Sequence, residues 1–179
     1  MDVTIRAEQP HEAAAIEAVV TAAFGDTGEV ARMVAGIRAS DLYRPHLALV
    51  ADHPSDGVVG FVMVSGATVR SADGDAPIAM LSPLGVAPTC QRAGIGGALV
   101  RAALTRADVD GDPFVVLEGS PAYYPRFGFE PAAPHGIRIH LPDWAPPEAA
   151  QVAFLTRHDP TATWWRGEVV YPPAVAALG

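Results

Sequence analysis

Pro77 to Ala107 reads PIAMLSPLGVAPTCQRAGIGGALVRAALTRA. Ile78 to Val86 is an apolar run of strand length. A turn follows, with Pro88 and then Gln91-Arg92-Ala93-Gly94-Ile95-Gly96-Gly97. Ile95, Ala98, Leu99, Ala102 and Ala103 then fall at helical spacing. Strand, glycine-rich turn and helix together make a phosphate-binding layout. The N-terminus of a helix carries unsatisfied N–H groups and the positive end of its dipole. Glycine lets the backbone approach an anion where a Cβ would clash. The stretch predicts a phosphate-bearing ligand at about Arg92 to Gly97.

Other glycine-rich turns fit less well. A Walker loop needs Gly-Lys-Ser/Thr, and the chain contains no Lys. The Rossmann fingerprint G-x-G-x-x-G is met at Gly94 and Gly96, but its third position is Leu99. Such a unit also usually opens its domain, with an acidic residue about 20 positions on. A glycine turn that only redirects the chain is the remaining alternative.

The chain has 179 residues, so one domain is expected over 1–179, with a sizeable core. Half of the residues are hydrophobic, which argues against disorder. No apolar run reaches the ~18 residues of a membrane span. The start, MDVTIRAEQPHEAAA, lacks a basic region followed by an apolar one, so no signal peptide is expected. The single Cys90 excludes an internal disulfide framework and a multi-cysteine zinc site. Cytoplasmic residence is the default expectation. The net charge is −8 and every basic residue is Arg. Such a chain is a poor general binder of nucleic acid. The acidity would suit a cationic substrate, or serve solubility alone.

Val3-Thr4-Ile5-Arg6 reads as a first strand. Pro10 and Glu12 suit the first turn of a helix, whose apolar face runs from Ala14 to Phe24 and which Gly25-Asp26 ends. A second helix is expected from about Glu29 to Ala39. Leu47–Ala51 and Val58–Val69 read as a hairpin, and Ser71–Ala76 as a polar turn into the central strand. Phe114–Leu117 reads as a buried strand, and Gly119–Glu130 as a short helix broken by a glycine. Beyond the proline-rich Pro131–Pro147, strands are expected at Gly136–Leu141, Gln151–Thr156 and Gly167–Tyr171. The part from about 131 to 179 would complete the sheet and the acceptor side.

Two stretches carry a resemblance to a known family. LSPLGVAPTCQRAGIGGAL resembles the acetyl-CoA loop of the GCN5-related N-acetyltransferases (GNAT). AYYPRFGFEPA is similar to that family's Tyr-x-x-x-Gly-Phe segment. The order of elements agrees, and the wording of the second stretch and the tail look most like the YhbS-like branch of predicted N-acetyltransferases. The resemblance implies an α+β fold. Its central sheet is mixed, mostly antiparallel, splayed at the cofactor site and flanked by helices.

The same resemblance implies roles. Acetyl-CoA would enter the wedge, with no metal required. Its pantetheine arm would pair with the backbone of Leu84, Gly85 and Val86, as an added strand does. Its pyrophosphate would rest at Gln91, Arg92, Ala93, Gly94, Ile95, Gly96 and Gly97, a backbone nest that needs no lysine. The Val86 N–H would stabilise the thioester oxygen. Tyr124 matches the family's general acid, and a phenol with pKa of about 10 is protonated at neutral pH. Tyr123 competes for that role. Some members use a carboxylate on the central strand as base, but this strand offers only Ser82. Glu118 is the tentative base, with His46 and Asp41 as alternatives.

The reading is an acetyl-CoA-dependent N-acetyltransferase acting on a small-molecule or peptide amine. The alternatives are a non-catalytic acyl-CoA-binding module and an acyltransferase with another acyl group or a hydroxyl acceptor. Acceptor binding is expected at Phe24–Arg44 and His135–Trp144, with Asp26, Glu29 and Asp41 holding a cation. Strand edges near Trp164 and Trp165 could pair two chains as a homodimer.

Overall fold

A computed structural model describes residues 2–178. Strand β1 (Thr4–Ala7) leads through a Pro10 turn into α1 (Ala13–Phe24). The Glu12 carboxylate accepts the Gln9 N–H at 2.8 Å and the Arg6 guanidinium at 2.5 and 3.0 Å. Arg6 also reaches Asp52 at 2.9 Å. One guanidinium thus ties the first strand, the entry to α1 and the second strand together. Gly25 ends α1 at φ +63°, its N–H bonded to Thr21 O. Helix α2 (Glu29–Arg38) follows.

Strands β2 (Ala48–His53), β3 (Gly57–Ser71) and β4 (Gly74–Val86) form an antiparallel meander. Helix α3 (Ile95–Asp110) then crosses over to β5 (Phe114–Glu118), which pairs parallel with β4. The short β6 (Glu130–Pro131) and β7 (Ala150–Phe154) extend the sheet beyond β5. Strand β8 (Gly167–Val170) pairs with the second half of β3, past the end of β2. The order is β1-β2-β3-β4-β5-β7-β6, antiparallel except at β4–β5. This is the mixed, mostly antiparallel sheet that the resemblance implied. The chain closes with α4 (Pro173–Ala176).

Both faces of the sheet are buried, as period-2 alternation requires. Phe61, Met63, Ile78 and Met80 share one face with Phe114 and Val116; the helices α1 and α2 cover this face together with the C-terminal segment, whose Trp164 and Trp165 pack on Phe114. Val62, Val64, Ala79, Leu81, Val115 and Leu117 face α3, where they meet Ile95, Leu99, Val100 and Ala103. Gly60 permits this contact: a Cβ there would stand 3.0 Å from Leu99 and 3.2 Å from Ile95.

Two expectations change. The Ser71–Ala76 turn shrinks to Ala72-Asp73, because the two strands pair right down to Ser71 and Gly74. Gly136–Leu141 is not a strand; it makes one bridge, Arg138 to Glu168. Helix α4 had no signal beyond its prolines. It lies on α2 at Gly36, where a Cβ would come within 2.8 Å of the Ala174 Cβ. The tryptophans pack inward: Trp165 is buried, and Trp164 stacks on Phe114 at 6.3 Å.

Candidate active site

The sheet opens between β4 and β5. They pair only at Ala79–Val115 and Met80–Val116. Beyond Met80, β4 stays with β3 as far as Val86, while β5 stays with β7 as far as Glu118. The ladder fixes which backbone groups face the gap. Ala87 N–H donates to Val59 O at 2.9 Å, and Gly85 lies opposite Phe61. Antiparallel pairs alternate between bonded and non-bonded positions. Gly85 therefore bonds with Phe61, whereas the amides and carbonyls of Leu84 and Val86 turn toward the open side. The Gln91 side chain agrees with this, since its Nε2 donates to Val86 O at 3.1 Å.

The predicted set thus divides. Leu84 and the Val86 N–H offer a free edge, while the Val86 carbonyl is taken by Gln91. Gly85 does not; its missing side chain instead admits α1, since a Cβ would stand 3.2 Å from the Ala23 Cβ. Gln91 anchors the turn to the strand rather than presenting an N–H alone.

The turn itself is a cradle. Arg92 adopts φ +60° and Gly94 φ +84°. Such left-handed positions turn successive N–H groups toward one point. The first backbone bond of α3 runs from Ala98 N–H to Gly94 O at 3.0 Å. The N–H groups of Ile95, Gly96 and Gly97 precede the helical ladder. Among the described residues, no chain acceptor takes the N–H groups of Arg92 to Gly97. The Arg92 side chain is exposed.

Gly119 to Phe129 brings two tyrosines to the same place. Gly119 N–H donates to Ala149 O at 2.9 Å, and the buried Gln151 donates to Gly119 O at 3.1 Å. The expected helix is a single 3-10 turn, Tyr124–Phe127, ended by Gly128 at φ +91°. The Tyr124 ring lies against Gly119, where a Cβ would stand 2.4 Å from its Cε2. It meets Phe129 edge-on at 5.6 Å. Burial pushes its phenol up to about 12. Tyr123 points elsewhere: its hydroxyl is 2.8 Å from where a Gly96 Cβ would be, at the head of α3. Burial raises this phenol too, against the opposing pull of Arg126 and Arg101. Tyr123 is thus a neighbour of the cradle, and Tyr124 a neighbour of the end of β5.

A cavity of ≈ 790 Å³ opens beside that end. Its floor is Met80, Ser82, Glu118, Val169 and Tyr171. Its rim comes from His140, Asp143, Trp144 and Leu178. The Tyr171 hydroxyl donates to Glu118 Oε2 at 2.9 Å. Burial, and then the Glu118 charge, raise the Tyr171 phenol well above its ordinary value.

Other predicted residues lie elsewhere. Asp26 accepts the N–H groups of Gly28 at 2.7 Å and Val30 at 3.1 Å, capping the start of α2. Asp26 and Asp41 are not among the cavity's lining residues. His46 pairs with Asp110, beside Arg44, in a surface ion cluster. Cys90 is buried in the core on the α3 side. Tyr171 was not singled out as a site residue from sequence, whereas Asp143 and Trp144 fall within the His135–Trp144 stretch expected to meet the acceptor. The Asp26 cap had a sequence signal, an Asp three residues before Glu29.

The site is thus a sheet parted beside a helix head whose N–H groups have no acceptor among the described residues. The acetyltransferase (GNAT) domain profile matches residues 4–132, and the chain belongs to that family. It is 37% identical over 123 residues to the uncharacterized N-acetyltransferase YjhQ of Escherichia coli K12. That match covers 68% of this chain and 66% of YjhQ, just under two thirds of the relative's length. It is 33% identical over 138 residues to the uncharacterized N-acetyltransferase YhbS of the same strain, covering 77% and 80% of the two chains. The crystal structure of E. coli YhbS in complex with CoA superposes with a TM-score of 0.84 at 29% identity, over 99% of this chain and 93% of that one. A Brucella melitensis GNAT family acetyltransferase in complex with acetyl-CoA gives 0.75 at 27% identity, over 97% and 98%.

Proposed function

We propose that this chain is an acetyl-CoA-dependent N-acetyltransferase of the YhbS-like branch, moving the acetyl group to a primary amine by direct attack in a ternary complex. One observation carries the reading. The free edge at Leu84 and the Val86 N–H runs into a turn where, among the described residues, the N–H groups of Arg92 to Gly97 have no acceptor. An extended amide chain ending in a diphosphate matches both halves of that surface. The relatives solved with CoA and with acetyl-CoA support the same ligand.

Acetyl-CoA supplies the thioester carbonyl and a thiol leaving group. The residues of the chain do the rest. The Val86 N–H, turned to the open side, donates to the carbonyl oxygen as negative charge grows on it. Glu118, at the cavity floor, takes the proton that the amine loses as its nitrogen bonds to the carbonyl carbon. The C–S bond breaks with its electron pair going to sulfur. Tyr124 gives sulfur a proton; a phenol pushed up to about 12 holds that proton throughout the neutral range. Glu118 and Gly119 are consecutive at the end of β5 and so point to opposite faces of the sheet: Tyr124 lies on Gly119 on the α3 side and Glu118 lines the cavity on the other, so the acetyl group would lie between them in the parted sheet.

The test is free-thiol release from acetyl-CoA with a panel of primary amines, for wild type and Tyr124→Phe. Turnover that falls at least about a hundredfold in the variant, with acetyl-CoA still bound, supports the enzyme and its acid. Binding without release on any amine indicates the non-catalytic module instead.

A further inference from the structure

We infer that the cavity beside Glu118 takes a small primary amine with an apolar, preferably aromatic, body and no anionic group. This rests on the proposed acetyl transfer and names the acceptor class of that site. The floor carries the polar groups: the Ser82 hydroxyl and the Glu118 carboxylate, held by Tyr171 at 2.9 Å. Above it the walls are apolar, with Leu141, Val175 and Ala176 among them. At the mouth stand Asp143 and Trp144, the latter 83% exposed. Among the described residues no Arg lines the cavity, the chain has no Lys, and His140, at the rim, is the one lining side chain able to carry a positive charge.

This layout sorts amines by chemistry. An ammonium group entering tail-first meets a carboxylate at the floor, beside the parted strands where the acetyl group would arrive. Its apolar body then fills the walls, and an aromatic ring reaches Trp144 at the rim. An α-amino acid places its own carboxylate one carbon away from the amine. At the floor that carboxylate meets Glu118 with no cation to pair it, and juxtaposed like charges in a desolvated site are strongly disfavoured. Asp143 adds the same sign at the mouth, which favours entry of cations. A volume of ≈ 790 Å³, bounded by the C-terminal segment on one side and residues 140–144 on another, is within the range that encloses a whole small molecule. A protein lysine would leave most of it empty.

The experiment uses the full chain and three probes: 2-phenylethylamine, phenylalanine and N-acetyl-lysine methylamide. Each is titrated directly into the protein by calorimetry and also assayed by thiol release with acetyl-CoA. The expected result is binding and turnover of 2-phenylethylamine, with phenylalanine at least about a hundredfold poorer in both. Trp144→Ala should raise KM for 2-phenylethylamine by about tenfold while acetyl-CoA affinity keeps its wild-type value. Equal use of phenylalanine, or better use of the lysine mimic, overturns the inference while acetyl-CoA binding and turnover leave the proposed function standing. If acetyl-CoA does not bind, the proposed function fails. The direct titrations then still decide the preference of the cavity: selective binding of 2-phenylethylamine upholds it, and its absence overturns it.

Discussion

The Tyr171 hydroxyl donates to Glu118 Oε2 at 2.9 Å, joining residues that lie 53 positions apart. The bond exists because β8 pairs with β3 and β5 pairs with β4, so that two strand ends from distant parts of the chain meet at one cavity floor. It fixes the carboxylate beside the open end of β4. Removing either partner should therefore act on turnover. Glu118→Gln is expected to lower kcat by about 10²–10⁴-fold, with acetyl-CoA affinity unaltered by calorimetry. Tyr171→Phe should lower kcat by about tenfold, since the base remains but loses the donor that orients it. A kcat in Glu118→Gln equal to wild type would remove Glu118 from the mechanism.

Gly119 leaves no room for a side chain under Tyr124. A Cβ there would stand 2.4 Å from the ring, so Gly119→Ala must displace the phenol. The expected outcome is a fall in kcat of about 10²-fold, approaching that of Tyr124→Phe, with little change in acetyl-CoA binding. Combining the two substitutions should give much less than the product of the separate losses, because both remove one function. Steady-state kinetics of the three variants check this.

The Tyr124 phenol, pushed up to about 12 by burial, sets a second expectation. As a group whose proton is held above its ordinary value, it stays in its acid form until alkaline pH. The kcat profile should therefore show no alkaline limb from Tyr124 below about pH 11, beyond the ordinary phenol range. A descending limb near pH 9 that disappears in Tyr124→Phe would contradict the burial-based account.

Much of this site was legible in residues 77–107. The strand, the glycines and the helical spacing of Ile95 and Leu99 are local signals, and the turn and the head of α3 formed where they placed them. Less legible was which backbone groups of β4 face the gap. That depends on the pairing of Val59 with Ala87, a register no local pattern encodes. Tyr171 and Glu118 were invisible as a pair for the same reason. Ile137, Ile139 and Leu141 alternate like a strand, yet only Ile137 is fully buried and the segment instead borders the cavity. Asp26 was read as a cation holder, when its position before Glu29 already marked it as a helix cap.

The Arg6–Glu12 pair contributes to acid stability. Glu12 is held below the usual carboxylate range, first by its bonds to Arg6. A carboxyl depressed in the fold stabilises above its unfolded pKa of about 4.3 and loses that contribution as pH falls through the folded value. Thermal stability should therefore drop below about pH 4. Glu12→Gln should cost about 1–3 kcal/mol at pH 7 and flatten that acid arm. Denaturant titrations of both proteins at pH 7 and pH 3.5 measure the difference.

The central claim is that the free edge of β4 and the turn from Gln91 to Gly97 bind acetyl-CoA. Isothermal titration of acetyl-CoA into the full chain tests it most directly. The account predicts saturable one-to-one binding that is weakened at least about tenfold in Gly96→Ala, whose Cβ would stand 2.8 Å from the Tyr123 hydroxyl in the cradle. No binding to the wild-type chain would contradict it, and with it the proposed transfer reaction.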